Sequence, residues 1–188
     1  MTNKIFALIG PNGSGKTLLA SMLIQNKVHY IPYYTTRAFR KNDPAGTLCH
    51  HVNRWDFPKE DLIVRVTRQG DSYGMQKKDV LHALGHYEHS FMLLDPAGIP
   101  HISRILADSL VTIFLMVDYA TALKRLLKMG YTGEALQYQL QYAETNREFE
   151  NWKRTDYVVK NIHEPEKALQ QIFAIMGLVE PVLSPKDA

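Results

Sequence analysis

The sequence predicts an α/β protein: a parallel sheet flanked by helices, with a small second lobe. Short apolar runs alternate with segments whose apolar residues recur at helical spacing, the pattern of strands buried between helices. A glycine-rich loop, GPNGSGKT, joins the first such strand to the first such helix. From about residue 37 to 79 the pattern changes. Turn signals (NDPAG, QGDSYG) separate short pieces such as DLIVRVT, which predicts an excursion of short antiparallel strands.

Each element has a local reason. Lys4–Ile9, KIFALI, is a short apolar run ended by glycine, hence a buried strand, and Thr17–Gln25 has helical apolar spacing. Val28–Tyr34 is rich in β-branched and aromatic residues and is expected as one strand. Asp79–Gly85 is expected as a helix, Phe91–Leu94 as an apolar strand ending at Asp95, and Leu110–Val117 as the strongest buried strand. Tyr119–Met129 is expected as a helix and Gly133–Trp152 as one long polar helix. Tyr157–Val159 is a short strand and Glu166–Met176 a closing helix. The expected division is a core of residues 1–36, 80–123 and 153–178, a lobe over about 37–79, a helical segment over about 124–152 and a loose tail at 179–188.

The 188 residues suit one domain, with 45% hydrophobic and 22% charged residues. A net charge of +3 is too mild to suggest a nucleic-acid partner. The single cysteine, Cys49, makes an internal disulfide impossible. No apolar run reaches the roughly 18 residues that span a bilayer, and the opening MTNKIFALIG does not read as a signal peptide. The expectation is a cytoplasmic protein with no membrane partner.

Gly10–Thr17 matches the phosphate-binding P-loop pattern G-x-x-x-x-G-K-[ST] in full, with a strand before it and a helix after it. Glycines let backbone N–H groups turn around phosphate oxygens, and the helix N-terminus adds its dipole. Asn12, Gly13, Ser14, Gly15, Lys16, Thr17 and Leu18 are therefore the expected ATP-binding residues. Lys16 supplies a point charge to the β- and γ-phosphates, and the Thr17 hydroxyl is an expected Mg²⁺ ligand. Asp95, at a strand end, is expected to hold Mg²⁺ through water or to contact the acceptor. Its alternative is a turn-starting aspartate in DPAG.

The order of GPNGSGKT, TTRAFR…AGTLCHHV, GDSYG, LLDPAG, LKRLLKMG and YVVKN resembles the guanylate kinase family of nucleoside monophosphate kinases over about residues 4–176. The P-loop and the TTRxxR segment are its specific motifs. The resemblance implies that Arg37 and Arg40, otherwise loop arginines, bind the phosphate of an acceptor monophosphate; a guanidinium fork matches phosphate oxygens two at a time. It also implies that Tyr73 touches this phosphate, that residues of about 124–152 form a helical lid whose arginines close over the transferring phosphoryl group, Arg125 in its first helix among them, and that ATP and Mg²⁺ are used.

The sequence departs from the family pattern at the base pocket. The three side chains that read guanine fall at Tyr33, Val64 and Met75, and a family tyrosine falls at Cys49. Valine cannot accept from the guanine N–H edge; Glu60 and Asp61 are the nearby carboxylates. In the lid, an expected Arg–Gly becomes Met129–Gly130, and the arginine of the next helix falls at about Gln139. Arg147 and Lys128 are the candidate replacements.

The expected function is ATP-dependent phosphorylation of a small phosphate acceptor, a nucleoside monophosphate or the like, with Lys16, Asp95, Arg125 and Arg147 as catalytic candidates. The alternatives are a kinase for a ribose bisphosphate-type sugar phosphate and an ATP-binding module with little catalysis. His82, His86 and His89 are expected as a solvated or partly packed face, since no H-E-x-x-H pattern accompanies them. His50 and His51 are candidates to line the acceptor site.

Overall fold

The computed structural model describes residues 3–39, 48–53, 56–68 and 70–179. Arg40 and most of the expected tail lie outside the described residues.

Among the described residues, nine strands form two sheets. The larger is all-parallel in its pairings and runs β2 (His29–Tyr30), β7 (His89–Leu93), β1 (Lys4–Ile9), β8 (Leu110–Met116), β9 (Tyr157–Lys160). β1 is central because every residue from Ile5 to Ile9 is apolar and buried, which only a strand covered on both faces permits. Its side chains alternate between two cores. Phe6 and Leu8 pack with Leu19 and Leu23 of α1 (Lys16–Gln25) and Leu169, Ile172 and Met176 of α6 (Pro165–Met176). Ile5, Ala7 and Ile9 pack with Val80 and Ala83 of α2 (Lys77–His86) and Ile102 and Leu106 of α3 (Ile99–Leu106).

The smaller sheet runs β4 (Cys49–His51), β3 (Tyr33–Thr35), β6 (Asp71–Gln76), β5 (Leu62–Arg68). It adjoins the C-terminal ends of the large sheet, since Val64 and Met75 share the core of Ile9 and Leu94. Two helices complete the chain before β9: α4 (Tyr119–Lys128) and α5 (Gly133–Thr145).

Four features correct the sequence reading. Val28–Tyr34 is not one strand. Ile31 still donates its N–H to the Phe91 carbonyl at 2.8 Å, but Pro32 has no N–H to continue the ladder, and the chain crosses into the second sheet. β3 therefore belongs to the small sheet and starts it at Tyr33, four residues before the expected start at about 37. The excursion is not wholly antiparallel, because β3 and β4 pair in parallel. Gly133–Trp152 is not one helix: α5 stops at Thr145, Arg147 takes a left-handed φ of 48°, and a 3-10 segment follows over Glu148–Arg154. Finally, α3 was not expected at all; its Pro100 sits in the first turn, where proline fits a helix.

Phe91 is fully buried beside β1. Phe91→Ala is expected to destabilise the fold by about 3–5 kcal/mol, read from the midpoint of urea unfolding.

Candidate active site

The glycine-rich loop leaves β1 and enters α1 at the C-terminal edge of the parallel sheet, between β7 and β8. Open α/β sheets bind ligands where neighbouring connections diverge in this way. Gly13 and Gly15 have φ of 82° and 92°, values that other residues rarely adopt. Gly13 also needs its missing side chain, because a Cβ there would lie 2.8 Å from the Ala122 carbonyl oxygen of α4. The first N–H groups of α1 have no intrahelical partner and are the donors such a loop offers to phosphate.

The loop carbonyls are occupied by side-chain donors, one from the loop itself and two from elsewhere. Lys16 Nζ donates to the carbonyls of Gly10 at 2.6 Å and Pro11 at 2.9 Å. Arg125, on α4, donates to the Gly13 carbonyl at 3.1 Å. Asn161, just beyond β9, is buried and donates to the Ser14 carbonyl at 2.8 Å. Asn12 Nδ2 donates to Gln139 Oε1 on α5. Burial lowers the pKa of the Arg125 guanidinium, and the Asp118 carboxylate opposes that shift.

In front of the loop lies a cavity of about 290 Å³. The loop contributes Gly10, Asn12, Lys16 and Thr17 to its wall, and the end of β7 contributes Leu93 to Pro96. The small sheet contributes Tyr33, Val64, Val66, Tyr73 and Met75, with Arg37 just beyond β3. Gln139 of α5 and Glu148, beyond its end, complete the wall.

Asp95 caps the turn that follows it, accepting from the Ala97 N–H at 2.9 Å through one oxygen. Asp95 therefore starts a turn and also lines the cavity. Arg37 is positioned by its backbone: its N–H donates to the buried Thr35 hydroxyl at 3.1 Å, and His51 Nδ1 donates to its carbonyl at 2.7 Å. Burial first, and then the neighbouring Cys49, push the Tyr33 phenol well above its usual pKa, so it is a neutral group in this wall.

The structure thus gathers Asn12, Lys16, Thr17, Tyr33, Arg37, Val64, Tyr73, Met75 and Asp95 around one cavity, over the loop residues Gly13, Ser14 and Gly15. Leu18 is half exposed, and Arg125 sits behind the loop rather than on the cavity wall. Arg147 is exposed, at the break after α5, and is not part of the wall. Glu60 and Asp61 are also exposed and do not reach it. His51 supports Arg37 from outside the wall, and His50 packs on Tyr34 with ring centroids 4.9 Å apart. His82 and His86 stack on each other at 4.2 Å; among the described residues no cluster of three or more His, Cys, Asp or Glu is placed to hold a metal. Sequence reasoning missed Glu148, Asn161 and the contact made by Gln139. Asn161 was visible only as the end of YVVKN, and a glutamate in a polar stretch carries no sign that it will be buried.

Mg²⁺ takes hard oxygen donors and usually keeps substrate phosphates and water among its ligands. The Thr17 hydroxyl and the Asp95 carboxylate, facing one cavity, fit that requirement.

A parallel sheet of this order, with a P-loop facing a small sheet lobe across a cleft, defines a P-loop phosphotransferase. The guanylate kinase family model matches residues 2–177, and the chain belongs to that family. It is 28% identical over 191 residues to a guanylate kinase of Koribacter versatilis, covering 94% of this chain and 78% of the relative. A guanylate kinase of Bartonella henselae is 22% identical over 181 residues, covering 90% and 79%. Among solved structures, the guanylate kinase from Anaplasma phagocytophilum superposes with a TM-score of 0.67 at 21% identity, covering 94% of this chain and 86% of that one.

Lys16→Ala removes the loop's point charge and its two carbonyl contacts. Phosphoryl transfer from ATP, followed by a coupled ADP assay, is expected to fall by about 100-fold or more. Circular dichroism should remain that of the wild type.

Proposed function

We propose that the protein transfers the γ-phosphoryl group of ATP to the phosphate of a nucleoside monophosphate, and that guanine is not its preferred base. One observation carries the first part: Lys16 and Thr17 share a single cavity with Arg37 and Asp95. A donor site and an acceptor site open on the same space, which is what in-line transfer between two phosphates requires.

The chemistry follows from that placement. An acceptor phosphate oxygen attacks the γ-phosphorus, the bond from that phosphorus to the β–γ bridging oxygen breaks, and ADP leaves with the electron pair. Lys16 and the N–H groups at the start of α1 stabilise charge on the donor phosphates. Arg37 holds the acceptor phosphate, which repels the triphosphate, close enough to react. Thr17 and Asp95 would hold Mg²⁺, which supplies charge neutralisation between the β- and γ-phosphates. Tyr73 faces the same wall and offers its hydroxyl to the acceptor.

The second part rests on the small sheet. Val64 pairs with Met75 and Val66 with Tyr73 across adjacent strands, so the part of the wall built by β5 and β6 is apolar apart from a phenol group, with Arg37 beyond the end of β3. Guanine brings an N–H edge that this wall leaves unpaired, at a cost of roughly 1–3 kcal/mol per buried group.

Steady-state rates with GMP, AMP, CMP, UMP and dTMP, and with sugar phosphates as a further arm, test this reading. A nucleotide other than GMP is expected to give the highest kcat/KM. GMP leading by tenfold would overturn the base assignment, a sugar phosphate leading would replace the acceptor class, and binding of ATP without transfer to any acceptor would leave a non-catalytic module.

Arg37→Lys keeps the charge and loses the fork. The acceptor KM is expected to rise about tenfold, roughly 1.4 kcal/mol, with ATP-analogue affinity within about twofold by calorimetry. An equal loss for ATP would assign Arg37 to the donor side.

A further inference from the structure

The lid meets the P-loop at two adjacent residues through different chemistry. On α4, Arg125 holds the carbonyl of Gly13. On α5, Gln139 accepts from the side chain of Asn12, one residue earlier. Gln139 is only 5% exposed, yet it lines the cavity that Lys16 and Thr17 also line. A long polar side chain at that depth has to be hydrogen-bonded to be tolerated, and its partner here is the loop itself.

We propose that Gln139 is a positioning residue that docks the lid on the P-loop before nucleotide binds, and that it borders the nucleotide phosphates as a neutral group. This rests on the functional reading above for the identity of the ligand, but not for the contact. A cationic side chain on a lid is drawn in by the phosphates themselves, and its closure depends on them. An amide-to-amide bond needs no phosphate. Gln139 Oε1 takes the Asn12 donor, and its own amide N–H₂ group is then the donor left to the cavity. The lid thereby adds no charge at this position, and Lys16 and Arg37 are the cationic side chains in the described cavity wall.

Hydrogen exchange of residues 133–145 in the nucleotide-free protein reads the docking without any catalysis. Gln139→Leu keeps the bulk and removes the bond. Its α5 amides are expected to exchange about 2- to 10-fold faster than wild type, the range expected for one neutral hydrogen bond. Its kcat should fall while the acceptor KM stays within about twofold. Gln139→Glu keeps an oxygen for Asn12 but sets a carboxylate beside the phosphates. Its α5 should stay as protected as wild type at pH 8, while ATP-analogue affinity falls at least about tenfold. Asn12→Ala, which cuts the bond from the loop side, should speed α5 exchange as Gln139→Leu does, and serves if that variant folds poorly.

Unchanged exchange in Gln139→Leu or Asn12→Ala would overturn the docking role. Leu and Glu variants that behave alike in both measurements would show that Gln139 only fills space. If the wild type transferred phosphate to no acceptor, the functional reading would fall, and the exchange comparison would still decide the contact.

Discussion

A loop that offers its N–H groups to phosphate must turn carbonyls the other way, and each of those carbonyls needs a donor. In this chain the donors for Ser14 and Gly13 come from Asn161 and Arg125, far along the sequence. Lys16 supplies Gly10 and Pro11 from within the loop. The order of the large sheet satisfies this demand. β1 lies between β7 and β8, so α4, which follows β8, reaches the loop from one side, and the chain after β9 reaches it from the same edge. The two glycines with left-handed backbone are the other half of the constraint, since they let α4 and Asn161 approach to contact distance. A Cβ at either would push the bracing elements away.

The small sheet is joined to this frame with little chain to spare. Pro32 ends one ladder and β3 starts another two residues after β2, so Tyr33 and Arg37 are held against the cleft by the strand that leaves the core. The pairing of β3 with β6 then brings Tyr73 beside Thr35, and β6 with β5 brings Met75 beside Val64. The cleft wall is thus a product of strand register. A slip of one residue would turn this apolar set away from the cavity.

Much of the large sheet was legible because its strands are continuous apolar runs and its helices have regular apolar spacing. The P-loop was legible because its chemistry demands residue types at fixed offsets. The break at Arg147 was not, since a left-handed arginine has no local signature and the polar spacing continues across it. α3 was missed because IPHISRIL is short and opens with proline, which reads as punctuation. Val64 and Met75, singled out by their position relative to the family pattern, do line the cavity, whereas the burial of Glu148 and the reach of Gln139 to Asn12 depend on how the chain after α4 folds back. Long-range contacts of that kind leave no periodic trace.

Gly98 lies against Val64 and Leu94; a Cβ at Gly98 would come within 2.7 Å of Leu94 Cδ1 and 3.2 Å of Val64 Cγ1. This apolar part of the cavity wall is therefore shaped from behind as well as from the cleft, which limits the side chains that position 64 can carry. A carboxylate at position 64 would be packed against Leu94, Met75 and the Gly98 backbone with no cation among them, and an unpaired buried charge is strongly disfavoured. A hydrogen-bonding group at position 64 would therefore need a partner supplied by a second change, and Met75, which faces it across the strand pair, is the adjacent position in the same wall.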